Sequence, residues 1–208
     1  MQDYYIIDNF IDEEYIDRIL ENMKSSEYVN LDGTKEKHLI GKTYYNYNVF
    51  RDGIRQNEDI KNHIFGKLNS FYEKELGKTA SSENLNPLQF FTKSFDPNTG
   101  FYDLHTEDPK YFGEIVFMLY LTDEPDGELV LPSYSDSLPL WSDGFQTMVD
   151  NLNVEYVQET IEILPKRNRC VFAKVGMAHL VKPCTGKRYT VSGWSFADDQ
   201  YYKEFYNR

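Results

Sequence analysis

The second half of the chain consists of short β-type runs separated by turn residues. Eight such runs begin near positions 88, 101, 114, 128, 154, 169, 179 and 188. Strong turn signals lie between several of them, at Asp96–Gly100, at Asp126-Gly127 and at Pro165–Asn168. Many short strands at close spacing leave no room for helical crossovers, so the pattern predicts an antiparallel barrel or a two-sheet jelly roll.

Two amphipathic helices are predicted ahead of this β-rich part. A short strand at Tyr4–Ile7 precedes apolar residues at helical spacing from Ile11 to Met23, and a second helical stripe runs from Ile60 to Gly77. A further strand is expected at Thr43–Phe50. We therefore expect one domain over 1–208, mainly β, with a strand and two supporting helices in 1–86 packed outside a core formed by 87–197.

The segment 133–152 interrupts the strand pattern and is dense in Ser, Asp and Pro. It reads as an insertion in the jelly roll. Two interpretations stand side by side, a lid or substrate-binding loop and a solvated surface excursion.

Charge and cysteine content narrow the class of protein. The formal net charge is −12 and is spread along the chain, which argues against a nucleic-acid partner because phosphate would be repelled. The two cysteines, Cys170 and Cys184, are expected to be reduced and partly buried. The first residues form no signal peptide and no apolar run reaches membrane-spanning length, so we expect a soluble, cytoplasmic protein without membrane association.

His105 and Glu107 are the first candidate metal ligands. Residues i and i+2 of a strand project to the same face, so both side chains can reach one ion. Asp108 follows directly and competes with Glu107 as the carboxylate ligand, although a regular strand would turn it to the opposite face. Alone, a His-x-Glu sequence is also compatible with an ordinary polar strand end.

His179 supplies the second imidazole. It follows a mostly apolar run, at the point where another barrel strand would begin. The chain has four histidines, and the other two have structural explanations: His38 lies in a charged stretch and His63 on the predicted second helix. Two imidazoles and one carboxylate make the facial triad of non-haem Fe(II) oxygenases, which leaves coordination positions open.

Arg188 lies nine residues after His179, in an alternating aromatic strand. An outward Arg188 would be a solvated edge charge, whereas an inward one needs an anionic partner such as the carboxylate of a cosubstrate. Thr190 shares the face of Arg188 and could add a hydroxyl donor. The side chain of Lys187, the residue before Arg188, would point to the opposite face of the strand and is not assigned to the site.

The order of these elements resembles the Fe(II)/2-oxoglutarate-dependent oxygenases, and within them the prolyl 4-hydroxylase-like branch. The matching elements are His105–Glu107, Ile115–Leu121, Asp126–Leu129, Leu164–Phe172, His179 with Val181 and Pro183, Arg188–Phe196 and the N-terminal run from Asp8 to Glu14. The resemblance implies a double-stranded β-helix (jelly-roll, cupin-like) core. It further implies His105, Glu107 and His179 as iron ligands, although Glu replaces the commoner Asp.

The resemblance also implies the cofactor and cosubstrates. Arg188 would bind the distal carboxylate of 2-oxoglutarate, assisted by Thr190 and by an aromatic residue, for which Tyr102, Phe91 and Tyr120 are candidates and Tyr102 is the one we select. Fe(II), 2-oxoglutarate and O₂ are expected, with ascorbate as a further candidate. The reaction would hydroxylate a C–H bond of a peptide, such as a prolyl residue, or of a small molecule, releasing succinate and CO₂.

Two rival functions fit the same residues. A cupin-like metalloenzyme could use the triad without 2-oxoglutarate, and then Arg188 would not affect cosubstrate affinity. A jelly-roll binding module without activity would bind no divalent ion. The sequence does not choose the substrate or the oligomeric state.

Overall fold

The computed structural model describes residues 3–25, 28–32, 46–50, 57–79, 90–98, 102–134, 140–142, 146–149 and 157–196. Within these ranges the side chains of 24–25, 28–32, 46–50, 90–91, 102–104, 111, 133–134, 140–142, 146–149 and 157–158 lie outside the description.

Three helices and thirteen strands make up the described part of the chain. The helices are α1 (Glu13–Ser25), α2 (Glu58–Leu76) and the short α3 (Pro109–Phe112). The first seven strands are β1 (Tyr4–Asp8), β2 (Tyr28–Asp32), β3 (Asn46–Phe50), β4 (Phe90–Phe95), β5 (Tyr102–Glu107), β6 (Ile115–Tyr120) and β7 (Leu129–Tyr134). The remaining strands are β8 (Leu140–Ser142), β9 (Gln146–Val149), β10 (Val157–Ile163), β11 (Arg169–Lys174), β12 (His179–Val181) and β13 (Arg188–Ser195).

The strands form two antiparallel sheets, as a jelly roll requires. One sheet has the order β1-β11-β6-β13-β4-β3-β2, and the other has the order β10-β7-β12-β5-β9-β8. Strands far apart in sequence are neighbours, so β13 pairs with both β4 and β6, and β12 pairs with both β5 and β7. The predicted fold class is confirmed.

Two parts of the strand prediction need correction. The segment 133–152 contains β8 and β9, and β9 pairs with β5 through His105↔Met148 and Glu107↔Gln146. Part of this segment is therefore a sheet extension beside β5, and its remaining residues lie outside the described part. Strand β2 was not predicted either; it pairs with β3 at the end of the seven-stranded sheet.

The two long helices cover the outer face of the seven-stranded sheet, as expected. Asn57 caps the start of α2 by accepting a hydrogen bond from the backbone N–H of Ile60 at 3.2 Å, and Gly77 ends the helix with a φ of 63°. The fully buried residues of this core are Ile16, Ile19, Ile60, Ile64, Leu68, Tyr72, Leu119, Leu121, Cys170 and Val191. Each large aliphatic side chain buried here contributes about 2 kcal/mol to the free energy of unfolding.

A second, smaller core fills the space between the two sheets. Its buried members are Tyr120, Leu129, Leu131, Ile163, Val171 and Val181. Val191 of β13 belongs to the helix-side core, so its alternating neighbours Thr190 and Ser192 face this second space. The cysteines Cys170 and Cys184 are free and buried, as predicted. Among the described residues, none of the helices combines the length and the apolar character that crossing a membrane would need.

Asn168 ties the N-terminal segment to the jelly roll. It lies in the predicted turn before β11 with a φ of 60°, a conformation that Asn tolerates better than most residues. Its side chain accepts from the backbone N–H of Ile11 at 3.0 Å and donates to the Ile11 carbonyl at 2.8 Å. Its own backbone N–H donates to the Tyr120 carbonyl at 2.9 Å.

Replacing Asn168 with alanine is expected to lower the free energy of unfolding by about 3 kcal/mol, because two buried backbone groups of Ile11 lose their partners and the left-handed backbone becomes strained. Urea unfolding followed by circular dichroism measures the loss. Asn168→Gly serves as the control, since glycine keeps the backbone conformation and removes only the hydrogen bonds, so it should lose less. A loss below about 0.5 kcal/mol in the alanine variant, the range of neutral surface substitutions, would contradict this role.

Candidate metal centre

Strands β5 and β12 bring the two candidate histidines together. His105 and His179 are directly paired in the register of these antiparallel strands. Their ring centroids lie 4.2 Å apart. The sequence predicted that both side chains lie at strand ends, and the sheet order makes those two strands neighbours.

Glu107 completes the cluster two residues after His105. One ligand atom from each of His105, Glu107 and His179 lies within 4.8 Å of the other two. His105 and Glu107 are each 3% exposed. The Oε2 atom of Glu107 is buried and has no hydrogen-bond partner among the described residues. A buried carboxylate oxygen without a partner is costly unless it meets a cation, so this arrangement fits a divalent metal ion.

Asp108 has a different role from Glu107. It is the N-cap of α3, where its side chain accepts a hydrogen bond from the backbone N–H of Lys110 at 2.8 Å. Asp108 is also absent from the three-residue ligand cluster. The geometry therefore favours Glu107 over Asp108 as the carboxylate of this site.

The orientation of His179 is set by a backbone carbonyl. Its Nδ1 atom lies 3.0 Å from the carbonyl oxygen of Met177. A carbonyl oxygen can only accept, so Nδ1 carries the proton and Nε2 keeps its lone pair for a metal. A hydrogen bond of this kind commonly fixes the ring of a metal-binding histidine.

Arg188 is turned inward and is completely buried. Its Nη1 donates to the carbonyl oxygens of Gly127 at 2.6 Å and Lys182 at 3.2 Å. Its guanidinium carbon lies 4.3 Å from the centroid of the Phe95 ring. These contacts hold the planar group in a fixed orientation, which is what two-point recognition of a carboxylate requires.

Two hydroxyl groups line the same space as Arg188. Thr190 on β13 is paired with Tyr120 on β6, and both residues are completely buried. Neither Tyr120 Oη nor Thr190 Oγ1 has a hydrogen-bond partner among the described residues. Burial raises the pKa of Tyr120 to about 12, with a smaller opposing effect of Arg188. The phenol therefore keeps its proton, and the hydroxyls and the guanidinium suit an anionic ligand with oxygen acceptors.

The other candidate residues fall into two groups. Tyr102 lies on β5 opposite Val181, but its side chain, that of Phe91 and the whole of His38 lie outside the described residues. His63 lies on α2 and stacks on Tyr15 at 3.7 Å between ring centroids, as its helical position suggested. Sequence reasoning named Tyr120 without selecting it, since its pairing with Thr190 depends on sheet register.

Lys187 matches its expected placement. Lys187 is exposed, with its ammonium 4.0 Å from a carboxylate oxygen of Asp96, so it points away from the buried Arg188. Trp194 packs against Phe112 at the end of α3, with ring centroids 4.9 Å apart.

Comparison of the sequence with protein families gives one match. Residues 90–196, just over half of the chain, match the family model described as the 2OG-Fe(II) oxygenase superfamily. The matched range begins with β4 and ends just after β13, and it includes all three residues of the ligand cluster. A comparison with curated protein sequences finds no significant match.

Solved structures share the fold at low sequence identity. A prolyl hydroxylase from Trichoplax adhaerens, in complex with a hypoxia-inducible-factor peptide fragment, has a TM-score of 0.61 at 14% identity and covers 97% of this chain and 86% of its own. A prolyl 4-hydroxylase from Pseudomonas putida has a TM-score of 0.56 at 14% identity, covering 95% and 94%. The non-haem α-ketoglutarate-dependent epimerase SnoN of nogalamycin biosynthesis has a TM-score of 0.63 at 11% identity, covering 94% and 78%.

Proposed function

This chain belongs to the 2OG-Fe(II) oxygenase superfamily and is a 2-oxoglutarate-dependent dioxygenase, and we propose that His105, Glu107 and His179 hold its iron. The observation that carries this assignment is the buried cluster of their three ligand atoms within 4.8 Å. Three protein ligands on one side leave coordination positions for the cosubstrate and O₂.

We assign the 2-oxoglutarate site to Arg188, Thr190 and Tyr120. The guanidinium of Arg188 pairs with the distal carboxylate, and the two hydroxyls donate hydrogen bonds to it. Support comes from the burial of all three residues and from the two hydroxyls without partners among the described residues. We give Tyr120 the role of the aromatic residue; the side chain of Tyr102, which was selected from the sequence, lies outside the described residues, so that selection stays a prediction.

In this proposal the residues of the site bind and orient the iron and 2-oxoglutarate, and they exclude water from them. When bound, iron and 2-oxoglutarate supply oxidative decarboxylation to succinate and CO₂, coupled to oxidation of a substrate C–H bond by O₂. The Met177 carbonyl keeps His179 in the tautomer that a metal needs. Phe95 covers one face of the Arg188 guanidinium and keeps water from it.

A prolyl residue in a peptide is our proposed substrate. Both prolyl hydroxylases share the fold over nearly the whole chain, and one of them was solved with a peptide fragment. A small molecule is the second candidate, because the epimerase SnoN of nogalamycin biosynthesis shares the fold with a TM-score of 0.63. Mass spectrometry of proline-containing peptides, searching for the gain of one oxygen atom, distinguishes the two.

An anaerobic titration with Fe(II) and then 2-oxoglutarate tests the proposed site. We expect a visible metal-to-ligand charge-transfer band in the wild-type protein. Arg188→Met should need about a hundredfold more 2-oxoglutarate to reach the same band, because truncating one partner of a buried charge pair costs several kcal/mol.

Lys187→Met is the matched control for this experiment. It removes one positive charge at the neighbouring position, but its side chain is 44% exposed and points away from the site. It should leave the band unchanged. Equal 2-oxoglutarate affinity in wild type and Arg188→Met would remove the assignment of Arg188, and a metal-binding protein without any band would favour the cupin-like rival.

A further inference from the structure

Lys93 is a half-buried lysine on β4 that has no role in the assignments above. On β4 it is paired with Thr190, and Phe95 two residues later is paired with Arg188. The contact of Phe95 with the buried Arg188 shows that this face of β4 looks into the space between the sheets. Because Lys93 and Phe95 alternate with Ser94, Lys93 lies on the same inner face.

The ammonium of Lys93 extends away from Arg188. Its Nζ lies 5.8 Å from the centroid of the Trp194 ring, and Trp194 is four residues beyond Thr190 on β13. Trp194 in turn contacts Phe112, the last residue of α3. Helix α3 follows Glu107 directly, with Asp108 as its N-cap. The Lys93 side chain therefore extends toward the end of the site where the candidate metal ligands lie.

Ser192 adds a second polar group to this region. It lies between Thr190 and Trp194 on β13, is 4% exposed, and its Oγ has no hydrogen-bond partner among the described residues. A buried hydroxyl without a partner is costly, and a ligand oxygen would satisfy it. An ammonium and a hydroxyl donor together suit a carboxylate, and the electron-rich face of the Trp194 indole orients the Lys93 ammonium by a cation–π contact.

We propose that Lys93, Ser192 and Trp194 form a subsite that binds a carboxylate of the substrate near the C–H bond to be oxidised. This inference rests on the proposed function, in which Arg188, Thr190 and Tyr120 hold 2-oxoglutarate at the other end. The carboxylate is either an acidic side chain of a peptide or the free acid of a small molecule. With a net charge of −12 the protein as a whole repels anions, so the preference depends on Lys93.

Fluorescence of Trp194 reports binding at this position directly. The chain has two tryptophans, so Trp141→Phe leaves Trp194 as the only one. In this background, loaded anaerobically with Fe(II) and 2-oxoglutarate, two probe pairs are titrated. One pair is N-acetyl-L-proline and N-acetyl-L-prolinamide; the other is a blocked Ala-Pro-Glu tripeptide and its Ala-Pro-Gln counterpart. The first pair tests a free acid, and the second tests an acidic side chain.

We expect the acid of at least one pair to bind about tenfold more tightly than its amide, as a charge-assisted hydrogen bond would give. Lys93→Met should reduce the ratio of acid to amide affinity to less than about twofold. Lys93→Arg and Lys187→Met should retain the wild-type ratio of about tenfold. Circular dichroism confirms that each variant is folded. Because no oxygen is present, the readout is binding and not turnover.

Four results would contradict the inference. The inference is overturned if neither acid binds, if acid and amide bind equally in both pairs, or if the preference persists in Lys93→Met. It is also overturned if Lys93→Met weakens 2-oxoglutarate binding as much as Arg188→Met does, since Lys93 would then serve the cosubstrate. Failure of the proposed function is seen separately, as the absence of the charge-transfer band in the wild-type protein.

Discussion

Replacing Glu107 with alanine is expected to lower Fe(II) affinity by more than about a hundredfold and to abolish 2-oxoglutarate-dependent succinate formation. Mutation of a residue that only supports a metal ligand can already lower metal affinity by up to about a hundredfold, so loss of the ligand itself should lower it further. Glu107 is 3% exposed and belongs to the cluster whose ligand atoms lie within 4.8 Å. Its loss removes the only carboxylate of that cluster and leaves the two imidazoles. Calorimetric titration with Fe(II) under anaerobic conditions measures the affinity, and succinate is measured separately.

Asp108→Ala is the matched control, since it removes the adjacent carboxylate. Asp108 caps α3, so its loss should cost about 1 kcal/mol of stability and leave Fe(II) affinity close to that of the wild type. The reverse result, in which Asp108→Ala loses the metal and Glu107→Ala retains it, would reassign the ligand. If the Glu107→Ala protein binds Fe(II) as tightly as the wild type does, the cluster is not the iron site.

Two of the three candidate ligands, His105 and Glu107, could be placed together from the sequence because their proximity depends on a local rule. His105 and Glu107 share a face by the two-residue period of a strand, and that prediction needs no knowledge of the sheet. The meeting of His105 with His179 was a weaker expectation, because it depends on β12 lying beside β5 across more than seventy residues of chain. The helices were predictable for the same local reason, since their apolar stripes and the Gly77 cap are visible in sequence.

The proposed cosubstrate pocket and the proposed Lys93 subsite depend on non-local pairings. Tyr120 was one of three aromatic candidates, and it is distinguished by its register with Thr190 on a strand seventy residues away. Lys93 was not singled out, because its strand was predicted without its neighbours and an alternating strand has two faces. Strands β8 and β9 were read as an insertion since Ser, Asp and Pro dominate the segment; pairing with β5 outweighs that local composition.

Gly127→Ala is expected to impair the site through Arg188, although Gly127 has no side chain. Its φ of 83° is unfavourable for alanine. An added Cβ would overlap the Cβ of Cys184 and lie 2.8 Å from Nη1 of Arg188. We expect a loss of about 3 kcal/mol in the free energy of unfolding, from strain and overpacking together.

The same substitution should weaken 2-oxoglutarate binding by about tenfold or more, because displacing the guanidinium breaks the 2.6 Å hydrogen bond from Arg188 to the Gly127 carbonyl and misaligns its carboxylate-binding edge. Thermal unfolding and the charge-transfer titration measure the two effects. Gly66→Ala is the control: it lies on α2, where the added Cβ would meet no described atom within 4 Å beyond the adjoining helix backbone, and it should raise stability by about 0.5–1 kcal/mol without changing 2-oxoglutarate affinity. If Gly127→Ala binds 2-oxoglutarate as well as Gly66→Ala does, the fixed position of Arg188 is not what holds the cosubstrate.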